Sequence, residues 1–241
     1  MIERPDATLR LMAYNIRHGA GMDGRVDLAR IADVIGRCAP HIVLLQEVDE
    51  CCGRTGGIDQ MQTLGELTGL HSHFGAFRDF DGGRYGMGAL STAPLSEPSA
   101  YGWHPGDLPR CWIAVQSAWG THWDEIIFSG IHLYTDVELR LQQAARVCDL
   151  FAAASHPVVL AGDFNCEPGA PAAQRLDQHW QRAPKEGERL TFPADIPTKE
   201  IDFVFARPAP HICVQRCWVE AEAMASDHRP VLAELALNTA R

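Results

Sequence analysis

The strongest constraint on the fold is a repeated pattern in which a short apolar segment ends in an acid or an amide. Segment 9–16 alternates before a Gly-Ala-Gly turn, whereas 41–48 and 156–163 are apolar almost throughout. Continuous apolar runs of this length are typical of strands that are covered on both faces. A carboxylate that follows such a strand costs solvation free energy unless it is paired or bound to a cation. We therefore expect the chemistry of this chain to lie at its strand ends.

Helical patterns separate some of these strands. Apolar residues recur at helical spacing from about residue 27 until Pro40, over 59–69 and over 138–154. Elsewhere strands follow one another with turns between them, and a stretch rich in Pro, Gly and charge predicts a surface loop with a short helix. The pattern predicts one α/β domain in which two sheets pack face to face and helices cover the outside. The other predicted strands are 85–91, 111–118, 125–133, 201–206, 211–219 and 230–237, the loop is 167–197 and the domain is 1–241.

The composition of the chain limits the kinds of molecule that it is expected to bind. Its 241 residues contain 21 Lys and Arg against 31 Asp and Glu, a formal charge of −10, so nucleic acid is not favoured as a partner. No apolar run reaches the roughly 18 residues of a membrane helix. The eight cysteines form no CxxC pair, and the charged start after Met1 does not resemble a signal peptide. We expect reduced thiols and a cytoplasmic location; the oligomeric state is left open.

The polar residues at the strand ends favour a metal site. One such residue alone is commonly a helix cap or a turn residue, but five strand ends of this kind in one chain are hard to explain that way. Oxygen ligands with little sulfur or imidazole spacing indicate Mg²⁺ or Mn²⁺ and not zinc. The residues concerned are Asn15, Glu47, Asp163, Asp202 and Asp227.

These positions resemble the motifs of the endonuclease/exonuclease/phosphatase superfamily, which includes DNase I. The matching segments are Tyr-Asn-Ile-Arg-His-Gly from residue 14, Leu-Leu-Gln-Glu-Val from 44, Gly-Asp-Phe-Asn from 162 and Ser-Asp-His-Arg-Pro from 226. The resemblance covers about residues 9–237. It implies a four-layered α/β sandwich, with two packed mixed β-sheets flanked by helices.

The resemblance also implies a divalent metal site. Glu47 would be the main ligand of Mg²⁺, with Mn²⁺ as a substitute. Asp227 would lie in the metal or water shell, and Asn15 would hold the water, the metal and the phosphoryl oxygens.

The same resemblance assigns the catalytic roles. Asp163 would orient and deprotonate the attacking water, and Asn165 would hold the phosphoryl oxygens. His228 would stabilise the charge that develops on the phosphoryl group, with Asp202 orienting its ring. His132 would be a second imidazole on the phosphate; the alternative is a core histidine satisfied by backbone.

Residues 54–91 resemble a group of small bacterial hydrolases. Arg54, Arg84 and Tyr85 are the candidate substrate-binding residues, because two guanidinium groups could hold a second phosphate. The alternative is that both arginines are solvated surface residues. Met87 stands where that group usually has an amide.

The sequence therefore predicts an Mg²⁺-dependent phosphoesterase that hydrolyses a phosphodiester or phosphomonoester by direct in-line attack of water. No Ser or Cys lies in a nucleophile motif, which favours water as the nucleophile. The preferred substrate is a small molecule or a phospholipid or inositol-type head group. A DNA or RNA endo- or exonuclease is the first alternative, and a catalytically silent binding domain on the same scaffold is the second.

Overall fold

The computed structural model describes residues 8–94, 96–100, 113–117, 126–207 and 212–237. Within these ranges, twelve strands form two six-stranded mixed sheets. The first sheet has the order β11-β12-β1-β2-β4-β3 and the second has the order β5-β6-β7-β8-β10-β9. The strands are β1 (Thr8–Asn15), β2 (Ile42–Glu50), β3 (His71–Phe80), β4 (Gly83–Ser91), β5 (Ser96–Ala100), β6 (Ile113–Ser117), β7 (Ile126–His132), β8 (Val158–Asp163), β9 (Gln181–Arg182), β10 (Asp202–Ala206), β11 (Ile212–Val219) and β12 (Val231–Leu237).

Four α-helices of the described residues cover the outer faces of the sheets. Each of the first three begins at an aspartate whose side chain accepts a backbone N–H of the first turn: Asp27, Asp59 and Asp136. The first ends at Ala39, directly before Pro40, and the second ends at Gly69. The helices are α1 (Leu28–Cys38), α2 (Gln60–Thr68), α3 (Val137–Phe151) and α4 (Pro171–Asp177).

Three hydrophobic clusters define four layers. On β1, Leu9, Leu11 and Ala13 belong to a core between the two sheets, whereas Met12 and Tyr14 pack towards α1 and α2. A third cluster lies between the second sheet and the helices α3 and α4. The alternation follows from the period of two in a strand. The predicted four-layered α/β sandwich is thereby confirmed.

The segment predictions hold with local exceptions. The segment 167–197 contains the expected short helix, α4, and also the short strand β9, which the sequence did not predict. The predicted strand 111–118 lies partly outside the described residues, which include its central part as β6. No helix in the described ranges is both long and apolar enough to cross a membrane.

Candidate active site

The site lies where the core between the two sheets reaches the surface. Asn15 follows Leu9, Leu11 and Ala13 at two-residue spacing, so its side chain continues the inter-sheet face of β1. Three further strand ends continue the inter-sheet faces of β7, β8 and β10 in the same way. These residues are His132, Asp163 and Asp202.

Strand pairing brings three of these residues side by side. In the parallel pair β7–β8, His132 is opposite Asp163, and in the antiparallel pair β8–β10, Asp163 is opposite Asp202. All three side chains are buried. Because backbone hydrogen bonds set this register, the spacing of these groups does not depend on loop conformation.

Asn15 connects the two sheets. Its Nδ2 donates to Glu47 Oε1 at 3.2 Å and to Asp163 Oδ2 at 3.1 Å, and its Oδ1 accepts from the Arg17 backbone N–H at 3.0 Å. Glu47 has a left-handed backbone (φ 58°) at an irregularity between Leu45 and Val48 in the pairing of β2 with β4. This irregularity in the strand pairing turns the Glu47 side chain towards the carboxylate of Asp163.

His132 faces the same two carboxylates. Its Nε2 lies 3.5 Å from Asp163 Oδ2 and 3.9 Å from Glu47 Oε1. Its Nδ1 is buried and has no hydrogen-bond partner among the described residues. The structure therefore places the imidazole in the site, and the alternative of a histidine satisfied by backbone finds no support in these contacts.

Asp202 and His228 form a hydrogen-bonded pair. His228 Nδ1 lies 2.9 Å and 3.2 Å from the two carboxylate oxygens of Asp202, and His228 Nε2 lies 3.7 Å from Asp163 Oδ2. The ring of Phe192 packs against the imidazole at 4.9 Å between centroids. Ser226 Oγ donates to the Asn15 carbonyl at 2.7 Å and ties this segment to β1. The imidazole is thus fixed in orientation, with Nε2 directed at the centre of the site.

The end of β8 requires a glycine at position 162, and Asn165 after it fixes the carboxylate of Asp163. Gly162 has φ 145°, and a Cβ there would lie 2.1 Å from the Ile131 carbonyl oxygen, so a side chain would break the β7–β8 pairing. Asn165 donates its backbone N–H to Asp163 Oδ1 and its Nδ2 to the Leu133 carbonyl, both at 2.8 Å. Asn165 therefore holds the carboxylate of Asp163 and the end of β7 together.

The burial of opposed charges shifts the pKa values in the site. Burial raises the pKa of Asp163. Burial would also raise the pKa of Glu47, but His132 and the Asn15 hydrogen bond outweigh it, and that pKa lies below its usual value. Burial would lower the pKa of His228, but Asp202 and Asp163 outweigh it and raise the pKa to about 10. His228 is therefore a cation at neutral pH.

The donor set fits a hard divalent cation. Glu47 and Asp163 each direct a carboxylate oxygen at the Nδ2 of Asn15. Carboxylate oxygens that converge in this way suit Mg²⁺ or Mn²⁺. Asn15 presents its NH₂ group to them, so its amide would have to rotate to ligate a metal. Asp227 lies 3.5 Å from Arg17 Nε. Oxygen or nitrogen atoms of Asp163, Asp202 and His228 also lie within 4.8 Å of one another, but the imidazole there is hydrogen-bonded to Asp202, which leaves Glu47 as the better metal ligand.

The predicted substrate-binding residues are engaged elsewhere. Arg54 makes two 2.7 Å hydrogen bonds to Asp49, whose side chain is fully buried. Arg84 pairs with Glu50 at the surface. Tyr85 is buried between the sheets, where its ring contacts Phe77 and Phe80 edge-on, and Met87 is also fully buried there. The structure thus does not bring Arg54, Arg84 or Tyr85 into contact with the residues at the strand ends.

Sequence reasoning missed two residues beside the site. Arg17 and His18 follow Asn15 in a tight turn, and both have left-handed backbones, with φ 45° and 46°. Arg17 contacts Asp227, and His18 lies in the electrostatic field of Glu47. A signal was available, because both residues belong to the motif that begins at residue 14.

Comparison with known proteins supports the resemblance. An endonuclease/exonuclease/phosphatase from Beutenbergia cavernae is 26% identical, with 95% of this chain and 72% of that chain covered and a TM-score of 0.78. An endonuclease/exonuclease/phosphatase family protein from Bacteroides thetaiotaomicron is 18% identical, with 98% and 100% covered and a TM-score of 0.80. A mannosyl-6-phosphatase from the same organism is 19% identical, with 95% and 99% covered and a TM-score of 0.76. No curated protein matches the chain.

The family model described as "Endonuclease/Exonuclease/phosphatase family" matches residues 12–228, which include every strand end described above. The chain therefore belongs to the endonuclease/exonuclease/phosphatase family of phosphoester hydrolases.

Proposed function

We propose that this chain is an Mg²⁺-dependent phosphoesterase that hydrolyses a phosphodiester or phosphomonoester by direct in-line attack of water. The observation that carries the proposal is the convergence of three carboxylates and two imidazoles at one end of the inter-sheet core. Phosphoryl transfer needs a positioned nucleophile, charge neutralisation on the non-bridging oxygens and donors for the charge that develops. A bound divalent cation on Glu47 would supply the charge neutralisation.

Asp163 is the residue that positions and deprotonates water. The Asn165 backbone holds its Oδ1, and Asn15 holds its Oδ2 in an orientation that also faces both imidazoles. Its raised pKa makes it a stronger base than an exposed aspartate. The proton of the attacking water therefore passes to Asp163 as the new P–O bond forms and the P–O bond to the leaving alcohol breaks.

The two imidazoles face the phosphoryl group from different elements. His228 Nε2 donates to a non-bridging oxygen, while Asp202 stabilises the imidazolium and fixes the orientation of its ring. His132 Nε2 acts on the phosphate from β7, as an acid for the leaving oxygen or as an electrostatic clamp. Asn15 and Asn165 hold the water and the phosphoryl oxygens in register.

The substrate class follows from charge and from similarity. A net charge of −10 disfavours a long polyanion and favours a small molecule or a phospholipid or inositol-type head group. The similarity to a mannosyl-6-phosphatase supports the inclusion of phosphomonoesters. All seven cysteines in the described ranges are free thiols, which supports a reducing, cytoplasmic location.

A substrate panel tests this proposal. Mg²⁺-dependent release of phosphate or alcohol would be measured from glycerophosphodiesters, inositol phosphates, a sugar phosphate, an oligonucleotide and a supercoiled plasmid. Asp163→Ala would be compared with Asp149→Asn, which changes an exposed acid on the outer helix α3. We expect turnover of the small substrates, lost only in Asp163→Ala. Plasmid nicking that is lost in Asp163→Ala would instead make the chain a nuclease.

The metal assignment has its own test. Glu47→Gln keeps the size of the side chain and removes its charge, so we expect Mg²⁺ affinity to fall at least ten-fold with the fold retained. Titration calorimetry with Mg²⁺ measures the affinity, and circular dichroism measures the fold. Equal Mg²⁺ affinity in wild type and Glu47→Gln would show that Glu47 is not the main ligand.

A further inference from the structure

The turn after Asn15 has an unusual backbone. Arg17, His18 and Gly19 all have positive φ, at 45°, 46° and 80°. Only the glycine adopts this conformation without cost, and the backbones of the other two residues are strained. Such strain persists only where the surrounding structure imposes it.

The surrounding structure holds the turn in this left-handed conformation. The turn closes through hydrogen bonds from Gly19 N–H to the Ile16 carbonyl at 2.7 Å and from Ala20 N–H to the Arg17 carbonyl at 2.8 Å. Gln60, which is fully buried, donates to the His18 carbonyl at 2.7 Å and accepts from the Asp49 N–H at 2.9 Å. A buried amide thus fixes the turn to β2, two residues beyond Glu47.

The side chains of Arg17 and His18, the two residues with strained backbones, lie at the rim of the site. Arg17 is partly exposed, with its Nε 3.5 Å from Asp227 Oδ2. His18 is half-buried, and its Nδ1 is a buried atom with no hydrogen-bond partner within the described ranges. An imidazole ring can donate a hydrogen bond to a hydroxyl group, and in its neutral form it can also accept one.

On the basis of the proposed function, we propose that the Arg17–His18 turn recognises the substrate: Arg17 holds a phosphoryl oxygen, and His18 hydrogen-bonds a hydroxyl group on the alcohol part of the ester. A glycine or an asparagine at position 18 would adopt the left-handed backbone at lower cost. A histidine with this strained backbone beside the site is explained if its ring contacts substrate. The substrate class is therefore an ester of a polyhydroxylated alcohol, such as glycerol, a sugar or an inositol.

A matched pair of substrates tests the role of His18. Glyceryl and propyl p-nitrophenyl phosphate have the same leaving group and differ in hydroxyl groups; glycerol phosphate and propyl phosphate serve if the enzyme cleaves only monoesters. We expect wild type to prefer the glycerol ester, and His18→Gly to reduce the ratio of the two kcat/KM values about five- to ten-fold. His18→Asn, which keeps a donor and an acceptor, should restore part of the ratio.

Two further variants separate recognition from strain. Ala39→Gly relieves a left-handed residue of similar φ, 46°, at the end of α1, and should leave the ratio unchanged. Arg17→Met should lower kcat/KM for both esters equally, because the phosphate is common to them. Turnover by wild type with the same ratio in His18→Gly would overturn the recognition role alone. No turnover of any ester by wild type would overturn the proposed function and this inference with it.

Discussion

Two charged regions of this chain contrast in how their charges are balanced. The first, here called the strand-end cluster, consists of Asn15, Glu47, His132, Asp163, Asp202 and His228. The second, here called the arginine corner, consists of Asp49, Glu50, Arg54 and Arg84. In the arginine corner each carboxylate has its own guanidinium, at 2.7 Å for the buried pair. In the strand-end cluster three carboxylates share one protonated imidazole and one amide.

The difference separates structural from functional charge. A buried carboxylate is stable when an opposite charge and hydrogen bonds satisfy it, as Arg54 satisfies Asp49. Asp163 has no guanidinium partner of its own, and burial raises its pKa. Uncompensated charge of this kind marks sites that bind a cation or handle a proton. The following predictions test whether the two regions are as distinct as their contacts indicate.

The largest expected effect is on activity in the strand-end cluster. Asp163→Ala removes the group that deprotonates water, so we expect kcat to fall about 10³-fold. Asp163→Asn should be as inactive, yet at least as stable to heat as wild type, because it removes a desolvated charge beside Asp202. Thermal unfolding measured beside turnover checks both. A strong loss of stability in Asp163→Asn would show that this carboxylate is structural.

A substitution in the arginine corner should lower the stability of the protein more than its activity. Arg54→Met keeps much of the side-chain volume but leaves Asp49 buried and unpaired, so we expect the free energy of unfolding to fall by about 3 kcal/mol. Below the unfolding transition, kcat/KM should fall less than ten-fold. Denaturant unfolding measures the first quantity and steady-state kinetics the second. A large activity loss with unchanged stability would restore Arg54 as a substrate-binding residue.

A smaller effect is expected from the residue that orients His228. Asp202→Asn keeps the shape and one acceptor but weakens the fixed orientation of the imidazole, so kcat should fall about 10- to 100-fold with little change in KM. The pH profile of kcat should change as well, since Asp202 is the main group that raises the pKa of His228. An unchanged kcat and pH profile would show that the pair is not used in turnover.

The sequence indicated the strand-end cluster because acids and amides stand at the ends of apolar segments. Asp163 is the last residue of β8 and Asp202 the first residue of β10, so they meet when these strands pair in register. Asn15, the last residue of β1, joins them when the two sheets pack face to face. It could not predict the arginine corner, because Glu50 meets Arg84 only when β2 pairs with β4, and Asp49 meets Arg54 only through the turn that follows β2. Nor could it predict the turn at Arg17 and His18, since left-handed backbone at non-glycine residues leaves no compositional trace.

The smallest effect is expected from a substitution of Arg84, at the outer edge of the arginine corner. Arg84 is half-exposed and pairs with Glu50, and its guanidinium lies 5.7 Å from the centroid of the Phe74 ring. Solvent screens such a pair, so Arg84→Ala should not shift the melting temperature measurably. It should also leave kcat/KM for the small esters unchanged, in contrast to Arg17→Met. If Arg84→Ala raised KM while kcat stayed the same, Arg84 would be a substrate contact, and the site would extend along β4 beyond the strand-end cluster.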